Sequence, residues 1–137
     1  MTLDIPVTVD SSSVKPVPSM NVGPILHEVR HALQRLIDTG ESTTIDLRAM
    51  PLAPGEGEQI RERLGRGEVE IRIDALGPST LTETAYPGVW WVEHRNNTDT
   101  VTGLYIEIAS IPSIVPPGDG DMREGLAQMT DNLNENE

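Results

Sequence analysis

The sequence predicts an α+β fold in two layers, with two helices packed on one face of a mainly antiparallel sheet of four or five strands. The predicted elements follow in the order helix, strand, helix and then four further strands. The links between those last four strands are short, which favours antiparallel neighbours. Two layers allow the apolar faces of both helices to bury against the same sheet face.

Two segments have the apolar period of amphipathic helices. Residues 24–39 start with Pro24 in the first turn and stop before Gly40, and their apolar residues recur every three or four positions. The segment Glu56–Leu64 has its acidic residues early and its arginines late, which complements the helix dipole, and Gly65 follows as its stop. The predicted apolar face of the first helix comprises Ile25, Leu26, Val29, Ala32, Leu33, Leu36 and Ile37.

Five segments have strand patterns. The pattern is most regular in Glu68–Ala75, where apolar and charged residues alternate and so point to opposite faces. The last two segments predict a hairpin through the polar loop 96–99. The predicted strands are Thr43–Arg48, Glu68–Ala75, Leu81–Ala85, Val89–Arg95 and Thr100–Ala109.

The chain of 137 residues has the length of one domain, which we expect to span residues 23–115. Residues 1–22 contain prolines and a serine run and are expected to form a flexible tail. Residues 116–137 hold six acidic residues against Arg123, and a segment of that composition is expected to be an acidic, disordered tail. The alternative is a short helix that forms on a partner, because Met122, Leu126 and Met129 fall at helical spacing.

Charge and composition exclude several classes of function. The formal net charge is −12, so attraction to nucleic acid or to an anionic membrane surface is not expected. The chain has no cysteine, which excludes disulfides, thiol catalysis and clusters held by its own thiolates. No apolar run approaches the roughly 20 residues of a membrane span, and the first residues lack the pattern of a signal peptide. We therefore expect a cytoplasmic protein without membrane insertion.

Residues 27–31 spell HEVRH, which matches the HExxH motif of zinc hydrolases. Such a motif places two imidazoles on one helix face, with Glu28 as general base. On the predicted helix, however, His27 and His31 lie almost opposite the apolar face, and no third ligand is marked among later acids such as Glu56 and Glu62. We favour ordinary surface histidines that at most bind metal weakly, and we expect no catalytic residue, metal site or cofactor. A zinc-dependent hydrolase is the alternative.

Two adjacent tryptophans predict a binding patch. Trp90 and Trp91 are neighbours in a strand, so their side chains point to opposite faces. Trp90 shares its side with Val92 and is expected in the core, whereas Trp91 shares its side with Glu93 and Arg95 and is expected on the open face.

Aromatic residues ringed by arginine and acids are typical of protein-binding surfaces. Packing within the protein and a homodimer across the open sheet are the alternatives. The predicted partner-binding patch comprises Trp91, Tyr105, Arg72, Glu83, Glu107 and the turn at Pro87 and Gly88.

Several segments, in this order and spacing, resemble the conserved region of the HupH/HyaF family of hydrogenase expression/formation proteins. The resemblance covers about residues 23–114, and longer family members contain more sequence than this region. The segments that carry it are TIDLR (Thr44–Arg48), PLAPGE (Pro51–Glu56), LGRGEV (Leu64–Val69), GPS (Gly77–Ser79), Glu83–Thr84 and PGVWWV (Pro87–Val92), and Tyr105–Ile108 and Ile111–Pro112 continue it.

The resemblance implies an accessory role in the maturation of nickel–iron uptake hydrogenase. It implies that the partner is the iron–sulfur small subunit or its precursor, or another assembly protein. Because the residues show no nucleophile or cofactor site but an aromatic patch, we expect a non-enzymatic chaperone or scaffold. We also expect that the acidic surface could recruit a basic segment, such as a twin-arginine export signal, by charge complementarity.

Overall fold

A computed structural model describes residues 20–75 and 77–136 as an α+β fold with a five-stranded, fully antiparallel sheet. The strand order is β1-β5-β4-β3-β2, which confirms the predicted fold class and fixes the number of strands at five. No helix in these two ranges is both long enough and apolar enough to cross a membrane. The elements are α1 (Val22–Thr39), β1 (Thr43–Asp46), α2 (Glu56–Leu64), β2 (Glu70–Asp74), β3 (Pro78–Glu83), β4 (Val89–Arg95), β5 (Val101–Ile108) and α3 (Asp119–Glu135).

Helices α1 and α2 pack on one sheet face, here called the helix face. Helix α1 ends at Gly40, whose left-handed backbone lets its N–H donate to the Leu36 carbonyl 2.8 Å away. Of its predicted apolar face, Ile37 in the last turn is 71% exposed and packs on nothing in the core. The core on this face combines Val22, Ile25, Val29 and Ala32 of α1 with Ile60 and Leu64 of α2 and with Ile45, Val89, Trp91, Ile106 and Ile108 of the sheet.

The buried carboxylate of Glu56 joins the starts of the two helices. It accepts hydrogen bonds from the Asn21 backbone N–H at 3.2 Å, the Asn21 side-chain amide at 2.8 Å and the Ala53 N–H at 2.7 Å. Residues 1–19 of the predicted tail 1–22 lie outside the described residues. Its last residues belong to the folded domain, because Asn21 makes these bonds and Val22 is buried.

The opposite sheet face carries a second apolar cluster, built on Leu81, Trp90 and Val92. The chain itself covers part of it after β5. The Trp90 indole N–H donates to the Ala109 carbonyl at 3.1 Å, and Val115 packs against the cluster. We call this side the far face.

The C-terminal segment 116–137, which we expected to be disordered, contains α3 over Asp119–Glu135. The prediction weighed acidic composition above periodicity. Two acidic residues in the first turn stabilise the helix by interacting favourably with its dipole, and apolar residues recur at positions 122, 126, 129 and 133. Every described residue of α3 is exposed, so this helix adds nothing to the core.

Candidate functional site

The structure places each tryptophan on the sheet face opposite to the predicted one, although Trp90 is buried, as expected, at 4% exposure. Trp91 lies on the helix face opposite Ile106 and is only 8% exposed, whereas Trp90 lies on the far face. The prediction assumed that charged neighbours mark the open face. It failed because α1 and α2 cover only part of the helix face, so that Glu93 and Arg95 share the side of Trp91 but are only partly covered.

The predicted partner-binding patch is therefore divided between two faces. Arg72 lies on the same side of the sheet as Trp91, since Arg72 pairs with Thr80, which in turn pairs with Glu93. Tyr105, Glu107 and Glu83 lie on the far face, where Tyr105 pairs with Val92 while Glu107 and Glu83 flank Trp90 in the register. Glu107 is buried and accepts a hydrogen bond from the Ser113 N–H at 2.9 Å, so it anchors the covering segment. These residues cannot form a single contact surface.

The uncovered part of the helix face holds a pocket of about 260 Å³, here called the polar pocket. The Arg61 guanidinium lies over the Trp91 ring, 5.3 Å from its centroid, and donates to the Gly65 carbonyl at 2.7 Å. Burial lowers the pKa of Arg61, the nearby charge of Arg66 lowers it further, and Glu93 opposes both. The pocket is lined by Arg61, Arg66, Glu70, Thr80, Thr82, Trp91 and Glu93.

The far face holds a histidine whose surroundings the sequence did not indicate. His94 Nδ1 lies 2.7 Å from Ser79 Oγ, and its ring meets Tyr105 edge-on at a centroid distance of 5.7 Å. Ser79 and His94 are cross-strand partners of β3 and β4, so the hairpin register brings them together. The pair fixes the imidazole in the sheet, and no salt bridge to a carboxylate orients it within residues 20–75 and 77–136.

The predicted turn residues Pro87 and Gly88 lie beside an apolar cleft of about 250 Å³ between α1, α2 and the β3–β4 turn. Gly88 has a positive φ of 92°, and a Cβ there would stand 3.2 Å from Leu33 Cδ1, so the turn approaches α1 closely. The cleft is lined by Leu26, Val29, Arg30, Leu33, Arg63, Leu64, Tyr86 and Val89.

Helix α3 presents an apolar stripe that packs on nothing in the described chain. Met122, Leu126, Met129 and Leu133 are spaced by four, three and four residues, which keeps them on one helix face. All four are between 52% and 67% exposed. The same helix carries five acidic residues against one arginine. We call these four residues the α3 stripe.

The HExxH residues lie on the exposed side of α1. His27, Glu28 and His31 are all exposed, and the Arg30 guanidinium lies 3.4 Å from His31 Nε2. Glu56, considered as a third ligand, is committed to the helix starts instead. In the part of the chain that the structure describes, no three His, Cys, Asp or Glu side chains stand close enough to hold a metal ion.

The fold and these surfaces define a small acidic α+β protein with an open antiparallel sheet and an exposed amphipathic helix. A family model, HupH hydrogenase expression protein, C-terminal conserved region, matches residues 19–135. The chain belongs to this family, and the match extends the expected resemblance through α3. In a comparison of solved structures, the hydrogenase expression protein HupH from Thiobacillus denitrificans ATCC 25259 superimposes with a TM-score of 0.80 at 43% identity, covering 84% of this chain and 96% of that one.

Two curated relatives are more distant. The hydrogenase expression/formation protein HupH of Rhizobium leguminosarum bv. viciae is 28% identical over 116 residues, which is 85% of this chain and 41% of the relative. The hydrogenase expression/formation protein HoxQ of Azotobacter vinelandii is 27% identical over 112 residues, or 80% of this chain and 40% of the relative. The chain thus spans about two fifths of the length of these relatives.

Proposed function

We propose that this protein is an accessory factor, a chaperone or scaffold, in the maturation of nickel–iron uptake hydrogenase, and that it acts by binding and not by catalysis. Membership of the HupH family supports the pathway, since its curated relatives are named hydrogenase expression/formation proteins. A role in binding is supported by the surfaces described above, which offer apolar and charged contact area.

The single observation that carries the binding proposal is the exposed α3 stripe. Monomeric proteins seldom leave four large apolar side chains together in solvent, and such patches mark contact sites. Two of the four are methionines, whose flexible thioether side chains adapt to irregular partner surfaces. The stripe has the geometry of an amphipathic helix that places its apolar side into a partner groove.

The partner we propose is the precursor of the iron–sulfur small subunit, contacted through its export segment. An export signal combines basic residues with an apolar stretch. Helix α3 offers the complementary combination, with an apolar stripe and acids on the remaining faces. Opposite charges would accelerate and orient the encounter, and apolar burial would supply most of the affinity.

The test is co-elution of the full chain with purified small-subunit precursor, its signal peptide intact, on size exclusion at low and high salt. We expect a complex that weakens about tenfold or more with Leu126→Asp, because a charge replaces an apolar contact at the centre of the stripe. The matched control is Ala127→Asp, which adds the same charge and loses a similarly good helix former on the other side of α3.

Equal loss of binding in both variants would show that charge on α3 matters and that the stripe does not. No complex with the wild-type chain at micromolar concentration would contradict the choice of the small subunit as partner. Self-association that disappears in Leu126→Asp would instead identify the stripe as a homodimer interface and overturn the proposal for α3.

A further inference from the structure

The polar pocket contains hydrogen-bond donors that the protein leaves unused. Thr82 is only 6% exposed, yet within the described residues its hydroxyl has no hydrogen-bond partner. A buried polar group without a partner is costly, and native structures normally satisfy it with protein, water or a ligand. The Arg66 guanidinium likewise makes no hydrogen bond or ion pair within residues 20–75 and 77–136. Both groups line the same pocket.

Arg61 is held in place for binding. Its stacking on Trp91 and its hydrogen bond from Nη1 to the Gly65 carbonyl fix two sides of the guanidinium. Its remaining N–H groups make no hydrogen bond to any residue that the structure describes. A guanidinium positioned before binding loses little conformational entropy when it engages a ligand. Trp91 provides a flat apolar wall that excludes water from one side of the pocket.

The charges of the pocket favour an anion. Burial lowers the pKa of Arg61, and the positive charge of Arg66 is close enough to lower it further. Neither forms a salt bridge with Glu70 or Glu93 in the described chain. Glu93 is already paired with Arg95 at 2.7 Å, and Glu70 stands exposed at the rim. Within the described residues, no carboxylate therefore forms a salt bridge with either guanidinium group of the pocket.

We propose that the polar pocket binds a carboxylate group of a protein partner, presented by an acidic side chain or a chain terminus. The planar fork of a guanidinium pairs with a carboxylate through two parallel hydrogen bonds, and the hydroxyl of Thr82 can donate to the same group. This site goes beyond the proposed function, because it takes an acidic group on the helix face, whereas α3 is proposed to take a basic segment.

The two tryptophans give the test an internal reference. In a ¹H–¹⁵N correlation spectrum of the full chain, the Trp91 indole signal reports on the pocket. The Trp90 indole, hydrogen-bonded to Ala109 on the far face, should remain still. A doubly blocked triglutamate peptide supplies side-chain carboxylates alone, and N-acetyl-triglycine supplies only a terminal carboxylate. We expect at least one of the two to shift the Trp91 signal saturably, and more weakly at high salt.

Arg66→Gln is the main variant, since Arg66 is exposed and its loss should not disturb folding. It should raise the apparent Kd at least fivefold, and Arg66→Lys should recover only part of the affinity. Arg63→Gln is the matched control, because Arg63 lines the apolar cleft instead. Absence of a saturable shift with both probes, or equal weakening by Arg63→Gln, would overturn the site. Saturation by inorganic phosphate at the same or lower concentration would overturn the carboxylate assignment.

Because this titration contains no hydrogenase subunit, its failure leaves the proposed function intact. Conversely, in a chain that carries Arg66→Gln, the further change Leu126→Asp should still weaken binding of the small-subunit precursor. The two proposals can therefore fail separately.

Discussion

Helices α1 and α3 are of similar length and both have an apolar stripe, yet only one is packed. Helix α1 has 18 residues and buries Ile25 to 5% exposure against the sheet. Helix α3 has 17 residues and leaves Leu126 at 67% exposure. The periodicity of a sequence therefore predicts that a helix forms, but not whether its partner lies in the same chain.

The charges around the two helices are consistent with α1 being packed on the domain and α3 being exposed. Helix α2, which packs next to α1, has two acidic residues in its first turn and two arginines in its last turn, so α1 has both positive and negative side chains nearby. Helix α3 is strongly acidic, and the folded domain is acidic as well. Like charges oppose docking of α3 on its own domain, while a basic partner would relieve them.

The largest effect is expected from the packed helix. Ile25→Ala should lower the free energy of unfolding by about 2–4 kcal/mol, because it leaves a cavity between α1 and the sheet. Urea unfolding followed by tryptophan fluorescence measures the loss. Ile37→Ala in the same helix is the control and should cost less than about 0.5 kcal/mol, since Ile37 is exposed. Similar losses in the two variants would contradict the packing of α1.

An effect of intermediate size is expected for the two tryptophans, and it should be larger on the far face than on the helix face. Trp90→Phe should lower the free energy of unfolding by about 1–3 kcal/mol, because the buried Ala109 carbonyl loses its donor. Trp91→Phe should cost less than about 1 kcal/mol, since the described residues offer its indole N–H no acceptor and the polar pocket borders its ring. The same unfolding experiment compares them, and a larger loss for Trp91→Phe would reverse the ranking.

Much of the fold could be predicted from the sequence because local patterns were strong. Helix α2 and strand β4 have the predicted bounds, Glu56–Leu64 and Val89–Arg95. Strand β1 is shorter than the predicted Thr43–Arg48, because Asp46 accepts a hydrogen bond from the Arg48 N–H and turns the chain into a short 3₁₀ segment. Strand order was open, because several antiparallel orders satisfy the same alternation.

The candidate site was harder to predict, for a reason that Trp90 and Trp91 illustrate. Alternation shows that they face opposite ways, but which face is covered depends on long-range packing. The segment after β5 covers Trp90, and no local pattern around residues 109–115 indicated that. The polar pocket was missed for the same reason, since the packing of α2 on the sheet places Arg61 over Trp91 and brings Arg66 to the same pocket.

The smallest effect on stability is expected in α3, where Leu126→Ala should change the free energy of unfolding by less than about 0.5 kcal/mol. An unpacked helix of this length is only marginally stable in water, so the amide hydrogens of α3 should exchange as fast as those of unfolded segments, while those of α1 remain protected. Hydrogen exchange with mass spectrometry measures both helices in one sample. Adding the small-subunit precursor should slow exchange in α3 of the wild type and much less in Leu126→Ala. Strong protection of α3 in the isolated protein would mean that the stripe is already occupied, by the chain itself or by a second copy, and would remove the distinction between the two helices.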